Sequence, residues 1–125
     1  MLMDGLEDVC RVRVKFSEID SMRRVWHGAY VAYFEDGRES FGRHYPGIGY
    51  ADMQRSGIYA PIYDLHQRFY APLALDDVAV VHTRYVYHPV HGWISSIKFT
   101  VRRTGSCVRK EVRCSCSLMW KVCLW

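Results

Sequence analysis

Residues 10–16 alternate strictly. Cys10, Val12, Val14 and Phe16 fall on one side and Arg11, Arg13 and Lys15 on the other, the pattern of a half-buried strand. The period then changes. Trp26, Tyr30, Phe34, Gly37 and Phe41 recur at helical spacing, which predicts a long helix starting near His27 and burying that stripe. The opposite side carries Glu35, Asp36, Glu39 and Arg43, with Glu35/Arg38 and Glu39/Arg43 spaced for weak pairs along a solvated face. Gly42 and Pro46 are the expected end of the helix. A glycine-bounded stretch, residues 47–57, holds one short helix around residues 51–55. Residues 58–70 read as extended and stop at Ala71-Pro72, and Asp76-Asp77 is a turn. Residues 78–87 form a long strand rich in β-branched and aromatic side chains. Residues 94–102 and 112–124 each alternate apolar and polar once more. The order predicts an α+β domain in which an antiparallel sheet covers one hydrophobic helix.

Composition adds limits. At 125 residues, the chain is expected to be a single domain over residues 1–125. Half of the residues are hydrophobic, yet no apolar run approaches the length needed to span a bilayer. The acidic opening lacks the basic and apolar regions of a signal peptide, so a cytoplasmic location without membrane insertion is expected. Five cysteines make an odd set, which fits a reducing compartment better than a disulfide framework. Charge is unevenly placed: residues 1–89 hold 10 Lys+Arg against 12 Asp+Glu, and residues 90–125 hold 7 against the single Glu111. The net +4 therefore belongs to the tail. There the cations alternate with apolar residues as on a solvated strand face, so nucleic-acid binding is not expected.

Candidate chemistry gathers where loop becomes helix. Asp20 stands in a polar loop just ahead of the helix start near His27. A helix start presents unpaired N–H groups at the positive end of a dipole, which suits a carbonyl oxygen gaining negative charge. A carboxylate beside such a site is a hydrolytic arrangement: it can attack a carbonyl carbon or activate a water. His27 can orient Asp20 or that water. From the residues alone, a second reading stays open, in which His27 caps the helix and Asp20 is a turn residue. Neither metal nor cofactor is expected. His82, His88, His91, Cys107, Cys114 and Cys116 lack paired ligand spacing, and there is no glycine-rich phosphate loop or serine nucleophile elbow.

Residues 11–89 resemble the 4-hydroxybenzoyl-CoA thioesterase family of hotdog-fold proteins, especially its acyl-CoA thioesterase branch associated with the bacterial Tol-Pal system. The likeness rests on Ser17-Glu-Ile-Asp20, Val25-Trp-His-Gly-Ala-Tyr30 and Tyr33-Phe-Glu-Asp-Gly-Arg38. Gly49-Tyr-Ala-Asp-Met53, Arg68-Phe-Tyr-Ala-Pro72 and Asp76-Asp77 support it. The resemblance implies a central helix wrapped by a curved antiparallel sheet, and a homodimer or homotetramer with its site shared between subunits. It implies an acyl-CoA substrate with a short-chain or aromatic acyl group. Asp20 takes the position of the catalytic carboxylate, and the His27 N–H the position that polarises the thioester carbonyl. Trp26, Gly28 and Tyr30 fall in the substrate-binding block. Arg68 and Arg84 are candidates for the CoA phosphates, because guanidinium binds phosphate bidentately. Two positions depart from the pattern: Arg23 stands where glycine is usual and Ala29 where asparagine is usual. Arg23 narrows the backbone choices of the loop, since glycine alone reaches positive φ freely. A non-catalytic hotdog protein that binds acyl-CoA, an acyl carrier protein or another protein partner is the alternative.

The tail permits one further reading. The resemblance stops near residue 89, where the charge balance flips and beyond which four of the five cysteines lie. Restoring one nucleotide before Val90 regroups the codons, forcing Asp across Trp93-Ile94, Val across Met119-Trp120 and Glu across Trp120-Lys121. With permitted choices elsewhere, the regrouped peptide resembles the family's closing strands. Residues 90–125 are thus a candidate frame-shifted segment, although the alternation of Ile97, Phe99 and Val101 would also suit strands as written.

Overall fold

In a computed structural model, the structure describes residues 5–59, 62–88, 94–104, 114–121 and 123–124. The elements follow in the order β1 (Glu7–Arg13), α1 (Ala29–His44), α2 (Tyr50–Arg55), β2 (Ile58–Tyr59), β3 (Ile62–Phe69), β4 (Val78–His88), β5 (Ile94–Thr104), β6 (Cys114–Lys121) and β7 (Cys123–Leu124). Five strands make an antiparallel sheet in the order β1-β4-β5-β6-β3, and β2 pairs with β7. This is the α+β arrangement of one long helix against one antiparallel sheet.

The core lies between α1 and the β1–β4 side of the sheet. On α1, Ala29, Tyr30, Tyr33, Phe34, Gly37 and Phe41 are buried. Ala29, Tyr30, Tyr33 and Phe34 form one cluster with Val14, Val25, Leu73, Ala79 and Val81. Along β4, Ala79, Val81 and Thr83 are fully or almost fully buried, as period-two alternation requires of the face turned to the helix. On the outer side of α1, Arg38 pairs with Glu35 at 3.5 Å and Arg43 with Glu39 at 2.6 Å. The expected spacing is realised.

Several boundaries differ from expectation, each for a packing reason. Trp26 is not part of the buried stripe: it precedes the helix, which begins at Ala29 behind Gly28, and it is 46% exposed. Tyr33 takes a place in the buried face that the stripe omitted, with no surface exposed. Gly42 does not end α1, which runs on to His44. Instead it lets the helix touch the next loop, since a Cβ at Gly42 would meet the Gly49 Cα at 2.7 Å. Phe16 leaves the strand pattern for a short 3-10 turn, Phe16–Glu18, and is 82% exposed. Residues 105–113 lie outside the described residues. Among the described residues, no helix is long and apolar enough to cross a membrane.

An open groove of about 860 Å³ runs beside β1, lined by residues 10–16 with Asp36, Leu75 and Asp76. Burial pushes the Asp36 carboxyl above its ordinary range; Lys15 opposes the shift, and Glu39 and Glu18 add to it. A carboxyl whose pKa is raised by folding disfavours the charged form, so its cost appears as pH rises and disappears once both states are protonated. Asp36→Asn is therefore expected to raise the thermal unfolding midpoint at pH 7 and to leave it unchanged at pH 3, as read by calorimetry at the two pH values.

Candidate active site

The segment between β1 and α1 is organised by its own backbone. The Asp20 N–H donates to the Arg24 carbonyl at 2.8 Å, and the Arg23 N–H returns to the Asp20 carbonyl at 3.0 Å. The side chain reinforces that turn: Asp20 Oδ1 accepts from the Met22 N–H at 2.8 Å and the Arg24 N–H at 3.3 Å. This is the usual competence of a short acidic side chain to satisfy local N–H groups. Among the described residues, Asp20 Oδ2 has no such donor. One oxygen is fixed and the other is available.

Closing this turn requires a left-handed residue, and Arg23 supplies it at φ 61°. That conformation explains why glycine would suit the position. Outside the turn, Ile19 and Val25 form an isolated bridge, the Trp26 N–H donates to the Glu18 carbonyl at 3.0 Å, and the Val25 N–H donates to the Leu73 carbonyl at 2.9 Å. The loop is thus tied on both sides before the chain enters α1.

The helix start lies immediately beyond. Ala29 N–H donates to the Trp26 carbonyl at 3.0 Å, whereas the His27 and Gly28 N–H groups have no acceptor among the described residues. Gly28 is needed for space: a Cβ there would lie 2.1 Å from the Trp26 ring. The indole therefore rests over the first residue of the helix cap. His27 is exposed and edge-on to Trp26, with ring centroids 5.5 Å apart. The structure shows no bond between His27 and Asp20.

The other expected site residues are placed differently. Tyr30 is buried, and its hydroxyl accepts the Leu73 N–H at 3.1 Å. That commits it to holding the Ala71–Leu73 segment rather than to an open surface. Its ring packs edge-to-face on Phe69 at 5.0 Å, so Arg68, one residue away on β3, faces the opposite side of the sheet. Arg84 stands on β4, exposed and 3.8 Å from Glu7. β5 and β6 separate the strands of these two arginines, and among the described residues neither is bonded to the Asp20 turn. Glu35 is half-exposed in its pair with Arg38.

Sequence reasoning missed Glu18 and Tyr33. The Tyr33 hydroxyl donates to Glu18 Oε2 at 2.6 Å, and the same oxygen accepts the Lys15 N–H at 2.9 Å. Burial, then the Glu18 carboxylate, pushes the Tyr33 phenol far above its ordinary range. Three-residue spacing from Tyr30 was the available signal. The groove beside β1 does not include Asp20, and its Cys10 thiol is raised by burial, then by Asp36 and Asp8. A raised thiol is a poor source of thiolate.

The model of the thioesterase-like superfamily matches residues 14–119. The chain belongs to the thioesterase-like superfamily. A putative acyl-CoA thioesterase of Bacillus subtilis (strain 168), YneP, is 33% identical over 72 residues, covering 58% of this chain and 51% of that protein. The chain thus matches about half the length of that curated relative. A hypothetical protein from Thermus thermophilus, TT1821, superposes with a TM-score of 0.79 at 25% identity, covering 94% of this chain and 83% of that one. The 4-hydroxybenzoyl-CoA thioesterase of Pseudomonas sp. strain CBS-3 gives 0.77 at 16% identity over 93% and 84% of the two chains, a likeness of fold. The chain shares with these structures the hotdog arrangement of helix and sheet.

The left-handed turn gives a direct test. A non-glycine residue in this region costs about 1–2 kcal/mol, offset in part by the roughly 0.5–1 kcal/mol of extra chain entropy glycine loses on folding. Arg23→Gly is expected to stabilise the protein by about 0.5–1 kcal/mol in urea titration.

Proposed function

We propose that the chain hydrolyses the thioester of a short-chain or aromatic acyl-CoA to the free acid and CoA. One observation carries this reading: a carboxylate with one oxygen fixed by two N–H groups and, among the described residues, no donor to the other, on the loop that leads into α1 of a chain of the thioesterase-like superfamily. Likeness to the putative acyl-CoA thioesterase of Bacillus subtilis supports the substrate class.

In this mechanism Asp20 Oδ2 either attacks the thioester carbonyl, giving an anhydride that water opens, or takes a proton from the attacking water. The carbonyl oxygen becomes negative and receives the His27 and Gly28 N–H groups together with the positive end of α1. The carbon–sulfur bond then breaks, and the sulfur leaves as thiolate and takes up a proton. The half-exposed Trp26 indole beside Gly28 offers an apolar surface for the acyl group. Arg68 and Arg84 would reach the CoA phosphates only across subunits, given their separation in one chain. A cytoplasmic setting fits such a substrate.

Asp20→Asn keeps the size and turn-closing oxygen of the side chain while removing its charge. It is expected to lower kcat for hydrolysis at least about 1,000-fold, with the melting temperature nearly unchanged. Wild-type turnover in that variant, followed with a thiol-reactive dye over a panel of acyl-CoAs, would remove Asp20 from the chemistry.

Self-association belongs to the same proposal. β4 is interior to the sheet, whereas β3 is an edge strand whose neighbourhood exposes Ile62, Leu65, Phe69 and Tyr70. An exposed apolar edge favours pairing with a second copy. A dimer or tetramer is expected by light scattering at micromolar concentration, and a monomer there would count against a site shared between subunits.

A further inference from the structure

Two side chains with no part in the chemistry above meet behind the Asp20 loop. Tyr33 lies on α1 with no surface exposed, and Glu18 is two residues before Asp20. The hydroxyl-to-carboxylate bond is 2.6 Å, and the receiving oxygen also accepts the Lys15 N–H. The main chain of Glu18 continues the connection. Its carbonyl accepts the Trp26 N–H, and the following residue, Ile19, bridges to Val25. The rigid helix thereby holds the strand-like arm that carries the Asp20 turn, on the side opposite the Val25–Leu73 bond.

We infer that Glu18 and Tyr33 are positioning residues, whose bond fixes the Asp20 carboxylate relative to the N–H groups at the start of α1. The inference rests on the thioesterase reading for its kinetic consequences, but its geometric content does not. A neutral hydroxyl donor on a buried face suits the task. Burial, then the Glu18 carboxylate, holds the Tyr33 phenol above its ordinary range, so the hydroxyl is a protonated donor at neutral pH. The tie matters for rate because misplacing a reacting group by about 1 Å costs about 100-fold even when binding is intact.

Tyr33→Phe keeps the buried ring and deletes the hydroxyl. At a temperature well below its melting midpoint, this variant is expected to lower kcat about 10- to 100-fold while KM for the acyl-CoA stays within about twofold. Glu18→Gln, which can still accept the hydroxyl, should keep kcat within about threefold. Glu18→Ala should match Tyr33→Phe, and the double variant Glu18→Ala/Tyr33→Phe should be no worse than either, as members of one unit are non-additive. A merely structural role predicts a lower melting temperature with wild-type kcat in the cold, and that result overturns the inference. Amide hydrogen exchange gives a readout independent of activity. In Tyr33→Phe the Met22, Arg24 and Trp26 amides should exchange at least about tenfold faster while amides in the middle of α1 are unchanged. Unchanged exchange at those three amides overturns the positioning role. Absence of any hydrolysis by the wild-type chain, with exchange accelerated as stated, overturns the thioesterase reading and leaves the tie established.

Discussion

The structure depends on the burial of one face of α1 against β1 and β4. Tyr33 and Phe34 on the helix, Leu73 from the loop before β4, and Val81 on β4 are each almost wholly removed from water, and each such side chain is worth roughly 1.5–3 kcal/mol. Two members of that face are tyrosines, so the packing that secures the helix also carries two hydroxyls into the interior. Buried hydroxyls need partners. Tyr30 finds the Leu73 N–H and Tyr33 the Glu18 carboxylate. The core thereby holds the two loop segments that frame the start of the helix, and Asp20 lies on one of them.

Much of this was legible from residue pattern. The alternation of residues 10–14, the helical recurrence of Tyr30, Phe34, Gly37 and Phe41, and the β-branched run of β4 each follow from one element meeting one core face. Trp26 misled, because its spacing fits the stripe while its backbone precedes the helix. Gly42 misled for another reason. Glycine commonly stops a helix, but here a close approach to Gly49 calls for it, and tertiary contacts of that kind leave no local mark. At the candidate site, Asp20 was visible as a carboxylate ahead of a helix, and the strain at Arg23 was visible as a residue standing where glycine is usual. The tie between Glu18 and Tyr33 was not, since it joins residues 15 positions apart through a fold that has to exist before the contact does.

The sheet shows how little of strand pairing depends on particular side chains. β5 pairs along its length with β4, and β6 pairs with both β5 and β3, although the residues after 89 differ sharply in charge from those before them. Ladder bonds use groups that every residue except proline supplies. Register asks only that apolar positions keep a period of two. The family match extends through residue 119, beyond the break in composition.

The two tyrosines three residues apart also make α1 a ruler. Each residue added to a helix turns the following side chains by about 100°, so the hydroxyls of Tyr30 and Tyr33 reach two different segments at one helical phase. Surface loops ordinarily accommodate inserted or deleted residues with little harm. Between Glu18 and Tyr33 the chain has no such freedom, because a change of one residue must be absorbed either in the closed turn at Asp20 or in the phase of the helix. Length variation in descendants of this sequence is therefore expected to collect elsewhere, and the spacing from Glu18 to Tyr33 should persist even where the residues between them drift.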